Sequence, residues 1–424
     1  MRFALLSLLL LLPVSVQAQS SLEERVQALE ERLALTEKLS SIGAHSDVLI
    51  ARWEHGLRLE SPDGTVMLNL GGRLNVDWAF MSEDDALERR FGNFDDGVQF
   101  RRARLYLSGT LYRRIIFKTA FNFNAGAAEY KDLFIGIKDL PYAGTFMTGH
   151  FKEPFGFEQL TSGKFLMFME RGLTDALVPG RNAGIAFSNT LADKSATWQA
   201  GFFRDTDNFG RSTPGGAYAF TGRMTVLTRY EDGGRRLGHF GTSFSIRNPQ
   251  HDTASFAAAP EAGLAPDVIA TGDVPAENVR LGGIEVAAVR GPLSVQSEAV
   301  LGRIIGANGA KDPLLWGHYV GAAYFLTGEH RTYNKELGVF SRVNPSRNFG
   351  ADGGWGAWEV AARLSRLDFD DIDEGVRGGM LYDVTLGVNW YLRSNTRMTL
   401  NYVYANPRGP GQANMVLTRF QLDF

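Results

Sequence analysis

An all-β transmembrane barrel of about 16 antiparallel strands, preceded by a short N-terminal coiled-coil helix in the periplasm, is the fold this sequence predicts. Three observations predict it. The first is the stretch Thr65 to Phe80. Its alternate residues Val66, Leu68, Leu70, Leu74, Val76, Trp78 and Phe80 are apolar, with Gly72 among them, while the intervening set includes Asn69, Arg73, Asn75 and Asp77. Side chains alternate faces along a strand, so one face is greasy and the other tolerates water. A run this long exceeds the roughly 9–11 residues a tilted strand needs to cross a bilayer. The second observation is that this pattern recurs to the final residue. The third is that short and long connections alternate, as in a barrel with tight turns on one side and long loops on the other.

Composition agrees. The chain has 424 residues and no cysteine, which argues against a disulfide-stapled secreted domain. Met1 to Ala18 reads as a secretory signal. Arg2 supplies the positive start, Ala4 to Val14 the apolar middle, and Val16-Gln17-Ala18 the cleavage site. Removing it takes away Arg2 and no acid, so a formal charge of −3 becomes −4. That balance gives no support to nucleic-acid binding. The 48 glycines and 12% aromatic residues suit strands, turns and interfacial rings.

Residues 19–42 follow as a helix. Leu22, Val26, Leu29 and Leu33 fall at the a/d spacing of a coiled coil, flanked by Glu23, Glu24, Arg25, Glu30, Glu31 and Arg32. With only about three heptads it is marginal alone, and it reads as a small, trimeric, self-associating bundle. Residues 43–63 read as a linker and 64–424 as the barrel. The strands fall near 65–80, 98–112, 114–125, 128–140, 143–152, 181–191, 195–206, 217–230, 237–249, 278–290, 292–305, 314–327, 355–370, 379–392, 396–406 and 413–424. Short turns include Tyr112-Arg113-Arg114 and Leu392-Arg393-Ser394-Asn395, whereas Lys152 to Gly180 and Asn248 to Asn278 are long. Gly328 to Gly354 is long yet falls on the short-turn side. The chain ends Phe420-Gln421-Leu422-Asp423-Phe424, a barrel strand closing on an aromatic residue.

No enzyme signature is present: there is no Gly-x-Ser-x-Gly elbow, no phosphate loop and no His-Glu-x-x-His. The seven histidines are scattered, and nothing calls for a metal or cofactor. The informative residues are arginines on the polar face. Alternation from Ala103, Leu105 and Leu107 sends Arg102 and Arg104 inward, and Arg73, Arg223, Arg247 and Arg363 share that parity, as do the acids Asp132 and Glu359. A water-filled barrel carries mixed lumen charge anyway. A cluster of arginines at a narrow point, however, selects anions, because rings of Arg and Lys are the physical basis of anion and phosphate pores.

The chain resembles the phosphate-selective porin O and P family of Gram-negative outer membranes. The matching pieces run in order from Gly64 to Phe424: Leu70-Gly71-Gly72-Arg73-Leu74, Phe100-Arg101-Arg102-Ala103, the run Gly149 to Glu158, Glu170-Arg171, Tyr324 to Glu329, Gly356-Ala357-Trp358-Glu359, and Leu386 to Tyr391. The resemblance implies a sixteen-stranded homotrimer in the outer membrane, whose loop 152–180 folds inward as the constriction. It implies that Arg73, Arg101, Arg102 and Arg171 match basic pore residues and that Asp132 matches a pore aspartate. It also accounts for the long Gly328–Gly354 connection. Two positions depart: Gln159 stands where the family places a lysine, and Ile116 where it has a basic residue. Lys164 lies near the first of these.

The expected function is therefore a porin, not an enzyme, passively conducting small anions with phosphate or related oxyanions preferred. Its expected partners are inorganic anions and outer-membrane lipid. Two alternatives stand beside it: a general diffusion porin without phosphate selectivity, and a tether whose coiled coil contacts peptidoglycan in the cell wall.

Overall fold

The computed structural model describes residues 27, 30, 48–124, 126, 128–212, 217–350, 353–409 and 411–424. The signal segment and the coiled-coil expectation lie outside the described residues, apart from Gln27 and Glu30. Sixteen antiparallel strands form the wall: β1 (Val66–Glu83), β2 (Gly97–Leu111), β3 (Ile115–Asn122), β4 (Glu129–Leu140), β5 (Gly144–Lys152), β6 (Arg181–Leu191), β7 (Ala196–Arg204), β8 (Tyr218–Glu231), β9 (Arg236–Arg247), β10 (Asn278–Arg290), β11 (Leu293–Ile305), β12 (Leu314–Phe325), β13 (Ala357–Asp371), β14 (Val376–Arg393), β15 (Thr396–Pro407) and β16 (Ala413–Asp423). Each pairs with the next. β16 returns to β1, from Ala413↔Glu83 to Asp423↔Arg73, and closes the barrel. Closure leaves no sheet edge, which a hydrocarbon environment would penalise.

The outer face is the greasy one. Along β1, Leu70, Leu74, Trp78 and Phe80 are exposed, whereas Arg73, Asn75 and Asp77 are buried toward the lumen. Within the stretch read as a linker, Ile50–Trp53 and Leu57–Glu60 form a hairpin. Its second strand pairs with β1 from Leu57↔Leu70 to Glu60↔Met67. The physical reason is length: β1 starts below the point where β16 ends, and the hairpin covers those unpaired backbone groups. Phe424 exchanges hydrogen bonds with Gly72 at the junction, 2.7 and 3.1 Å.

Three connections pack against inward-facing side chains of the wall. The segment 153–180 is held by its own backbone. Arg331 donates to the carbonyl of Phe165, Arg397 to Leu166, Asn389 to Met167 and Arg419 to Met169, at 2.5–2.9 Å. Glu298 on β11 accepts from the amides of Phe157 and Glu158. Irregular backbone is tolerated at membrane depth only where such partners satisfy it. The segment 248–277 brings in Glu261, which pairs with Arg363 and accepts from Ser365 and Thr385. The long connection after β12 folds inward too. Arg331 on it pairs with Glu359, and Tyr333 bonds His239. A connection on the short-turn side can be long because it lies inside the barrel, packing Tyr333, Val339 and Phe340 around Phe157.

Candidate functional site

A cavity of about 1070 Å³ lies beside these insertions, against the wall from β1 to β7. Ten Lys or Arg side chains and three Asp or Glu line it, so its field is strongly positive. Arg73, Arg102, Arg104, Arg171 and Asp132 all line it, together with Lys118, Lys152, Lys164 and Arg181.

Strand register makes the cluster. Arg73 on β1 is the direct cross-strand partner of Arg104 on β2, and Asn75 is the partner of Arg102. Like charges placed opposite each other oppose pairing. Arg73 and Arg102 converge on Gly163 in the inserted segment: a Cβ there would stand 3.1 Å from Arg73 Nη1 and 3.6 Å from Arg102 Nε. Arg73 Nη1, Arg102 Nε and Arg104 Nε are buried with no hydrogen-bond partner among the described residues. Buried donors left in this way favour an arriving acceptor.

Arg101 reaches the lumen by a bulge. Val76 pairs with Phe100 while Asn75 pairs with Arg102, so Arg101 is the extra residue. A bulge re-aims a side chain, and two consecutive arginines thereby face inward where strict alternation allows only Arg102. Arg101 does not line the cavity. It lies one step toward the long-loop end of β2 and forms a two-point bond to Glu170, 2.9 Å at both oxygens. Burial alone would raise the Glu170 pKa, but Arg101 and Arg419 outweigh it and hold the carboxyl well below its usual range.

The other expected residues divide. Asp132 bonds Lys118 at 2.6 Å and Arg181 at 2.8 Å, and so fixes two cations at the wall. Arg171 donates to the carbonyls of Glu158 and Gln159. Lys152 also donates to the Gln159 carbonyl, so two cations stand beside the position that lacks the family's lysine. Ile116 lines the cavity as a neutral residue. Lys164 lies 3.4 Å from Asp423. Burial, with Arg342 and Arg73 nearby, pushes its pKa down to about 8 although Asp423 opposes the shift.

Arg223 is elsewhere. It is buried against Glu285 and donates to the carbonyls of Leu337 (2.9 Å) and Gly338 (2.7 Å), which tie the inserted connection to β8. Arg363, between Glu158 and Glu261, and Arg247, between Glu153 and Asp205, are ion-paired in the same manner. Inward parity is common to them and to Arg73. What separates them is a carboxylate partner: Arg223, Arg247 and Arg363 each have one, and Arg73 has none among the described residues. Lys118 and Arg181 were missed by the sequence reading. Lys118 shares the parity of Ile116, a usable signal, whereas Arg181 opens a strand and carries none.

A closed sixteen-stranded wall, greasy outside and charged inside, with inserted segments and an open basic lumen, defines an outer-membrane porin. The profile of the family described as phosphate-selective porin O and P matches residues 68–424, and the chain belongs to that family. It is accordingly a Gram-negative outer-membrane channel for small anions, not an enzyme. Porin O of Pseudomonas aeruginosa is 25% identical over 419 residues, covering 89% of this chain and 92% of that one. An uncharacterized protein of Caulobacter vibrioides is 26% identical over 377 residues, 83% of this chain and 73% of that one. Among solved structures, the trimer form of in-vitro folded OmpT from Vibrio cholerae aligns with a TM-score of 0.52 at 12% identity, over 85% of this chain and all of that one. OprB of Pseudomonas putida gives 0.52 at 11% identity, over 85% and 95%. At such identities these two show the barrel fold alone.

Proposed function

We propose that anions, phosphate or related oxyanions preferred, pass from the outer side along Arg101, then Arg102, then the cross-strand pair Arg73 and Arg104. The observation that carries this is the set of unpartnered guanidinium donors on Arg73 and Arg102, which converge on Gly163, and on Arg104, the cross-strand partner of Arg73. A planar guanidinium fork matches paired oxyanion oxygens. One contact near 4 Å is worth roughly 1–4 kcal/mol depending on local dielectric, enough to replace part of a hydration shell while permitting release. The inserted segment 153–180 is the constriction, and Arg171 and Asp132 shape its lower side. Asp132 does so indirectly, by holding Lys118 and Arg181 in place. The trimer recorded for OmpT is extended here to this chain.

Planar-bilayer recordings test the reading. In a potassium chloride gradient the reversal potential is expected to show anion preference, and added phosphate to reduce the chloride current. Neutralising Arg101 and Arg102 together is expected to weaken both effects. Cation preference in the wild-type protein, or chloride current indifferent to phosphate, would overturn it, the second outcome in favour of a general diffusion pore.

A further inference from the structure

Glu170 occupies the guanidinium fork of Arg101. Its carboxylate fills the Arg101 fork with two bonds of 2.9 Å, and the same carboxylate accepts from Arg419 at 2.9 Å. Arg419 does not need it, being already paired with Asp77 at 2.6 and 2.7 Å. For Arg101, Glu170 is the one bonded carboxylate among the described residues. Glu170 belongs to the inserted segment, Arg101 to the wall, and the pair is neither sealed nor free: the side chains are 15% and 30% exposed. Gly263 of the second inserted segment lies over them. A Cβ there would be 3.1 Å from Arg101 Nε and 3.2 Å from Glu170 Oε1. Below this filled post stand Arg102, Arg73 and Arg104, none of them ion-paired among the described residues.

We propose that Glu170 is a tethered stand-in for the anion: it holds the Arg101 fork, yields it to an arriving oxyanion, and takes it back as that anion moves down. The inference rests on the anion route proposed above. A carboxylate tethered at short range competes at an effective concentration on the order of millimolar, so it weakens binding at the first post, while Arg102, Arg73 and Arg104 below still attract the ion. An arginine fork with no internal competitor would hold its anion longer, and flux needs release as much as capture. The close cover of Gly263 over the pair leaves the carboxylate short travel, in keeping with exchange of one ligand for another.

The test is conductance as a function of phosphate concentration in planar bilayers, for the wild type and for Glu170→Gln, whose carboxamide retains the shape and one acceptor but no charge. Glu170→Gln is expected to lower the half-saturating phosphate concentration several-fold, reduce the maximal phosphate conductance and raise anion preference in chloride. Unchanged half-saturation and selectivity would overturn the proposal. So would a rise in anion and cation conductance alike, which is the mark of a loosened loop. Retained barrel migration on an unheated gel checks folding. Should Glu170→Gln fail to fold, Arg101→Gln with and without Glu170→Gln serves instead: the second change is expected to leave half-saturation unaltered once Arg101 is gone, and a further several-fold drop would refute competition at Arg101. A wild-type channel without anion preference would sink the route itself, whereas an anion-selective wild type with a silent Glu170→Gln sinks only this inference.

Discussion

Arg73 and Arg104 are cross-strand partners on β1 and β2, side by side on the lumen wall, and neither is ion-paired among the described residues. Two guanidiniums so placed repel, and an anion between them relieves the repulsion. Arg104→Gln is therefore expected to stabilise the phosphate-free barrel slightly, by roughly 0.2–1 kcal/mol. The same change is expected to shrink the rise in melting temperature that phosphate produces in the wild type. Thermal denaturation in detergent, with and without phosphate, measures both.

Arg223 is expected to behave in the opposite way. It is buried against Glu285 and holds the carbonyls of Leu337 and Gly338. Removing one member of a buried pair leaves an uncompensated charge, at about 3–5 kcal/mol. Arg223→Gln should lower stability by that order while the reversal potential stays at its wild-type value. A shift in selectivity as large as that of Arg102→Gln would place Arg223 on the ion route after all.

Lys164 is expected to make the pore pH-sensitive. Its pKa is pushed down to about 8, first by burial and then by Arg342 and Arg73, against the pull of Asp423. Below that pH the ammonium is charged, and as pH rises through it the lumen loses one positive charge. Anion preference is thus expected to fall with a midpoint near pH 8, and Lys164→Gln to flatten the curve at the lower level. Reversal potentials measured across that pH show which occurs.

Gly163 brings the inserted segment against Arg73 and Arg102. A branched side chain there has to displace those guanidiniums or occupy the space between them. Gly163→Val is expected to reduce single-channel conductance while migration as a folded barrel is retained. An unchanged conductance would mean that the narrowest point lies elsewhere.

Most of the wall was legible because its physics is local. Each lipid-facing residue must be apolar, each lumen-facing residue is free, and the two alternate. The segment read at 98–112 is β2 at Gly97–Leu111, and that read at 278–290 is β10 at Asn278–Arg290. Arg101 shows where that logic stops. A bulge adds one residue to one strand, and alternation read through it assigns the wrong face; only the resemblance to the family placed Arg101 in the pore.

By itself, then, the sequence determined the barrel, its strand number, its greasy exterior and the side of the wall on which Arg73, Arg102, Arg104 and Arg223 stand, because alternation against lipid constrains every second residue independently. The tertiary structure alone decided which inward arginines meet the cavity. Arg73 and Arg223 carry the same parity, yet one faces open space and the other a carboxylate and two carbonyls. That outcome depends on segments more than a hundred residues away folding into the lumen, where each buried charge must find a partner or remain available to an ion.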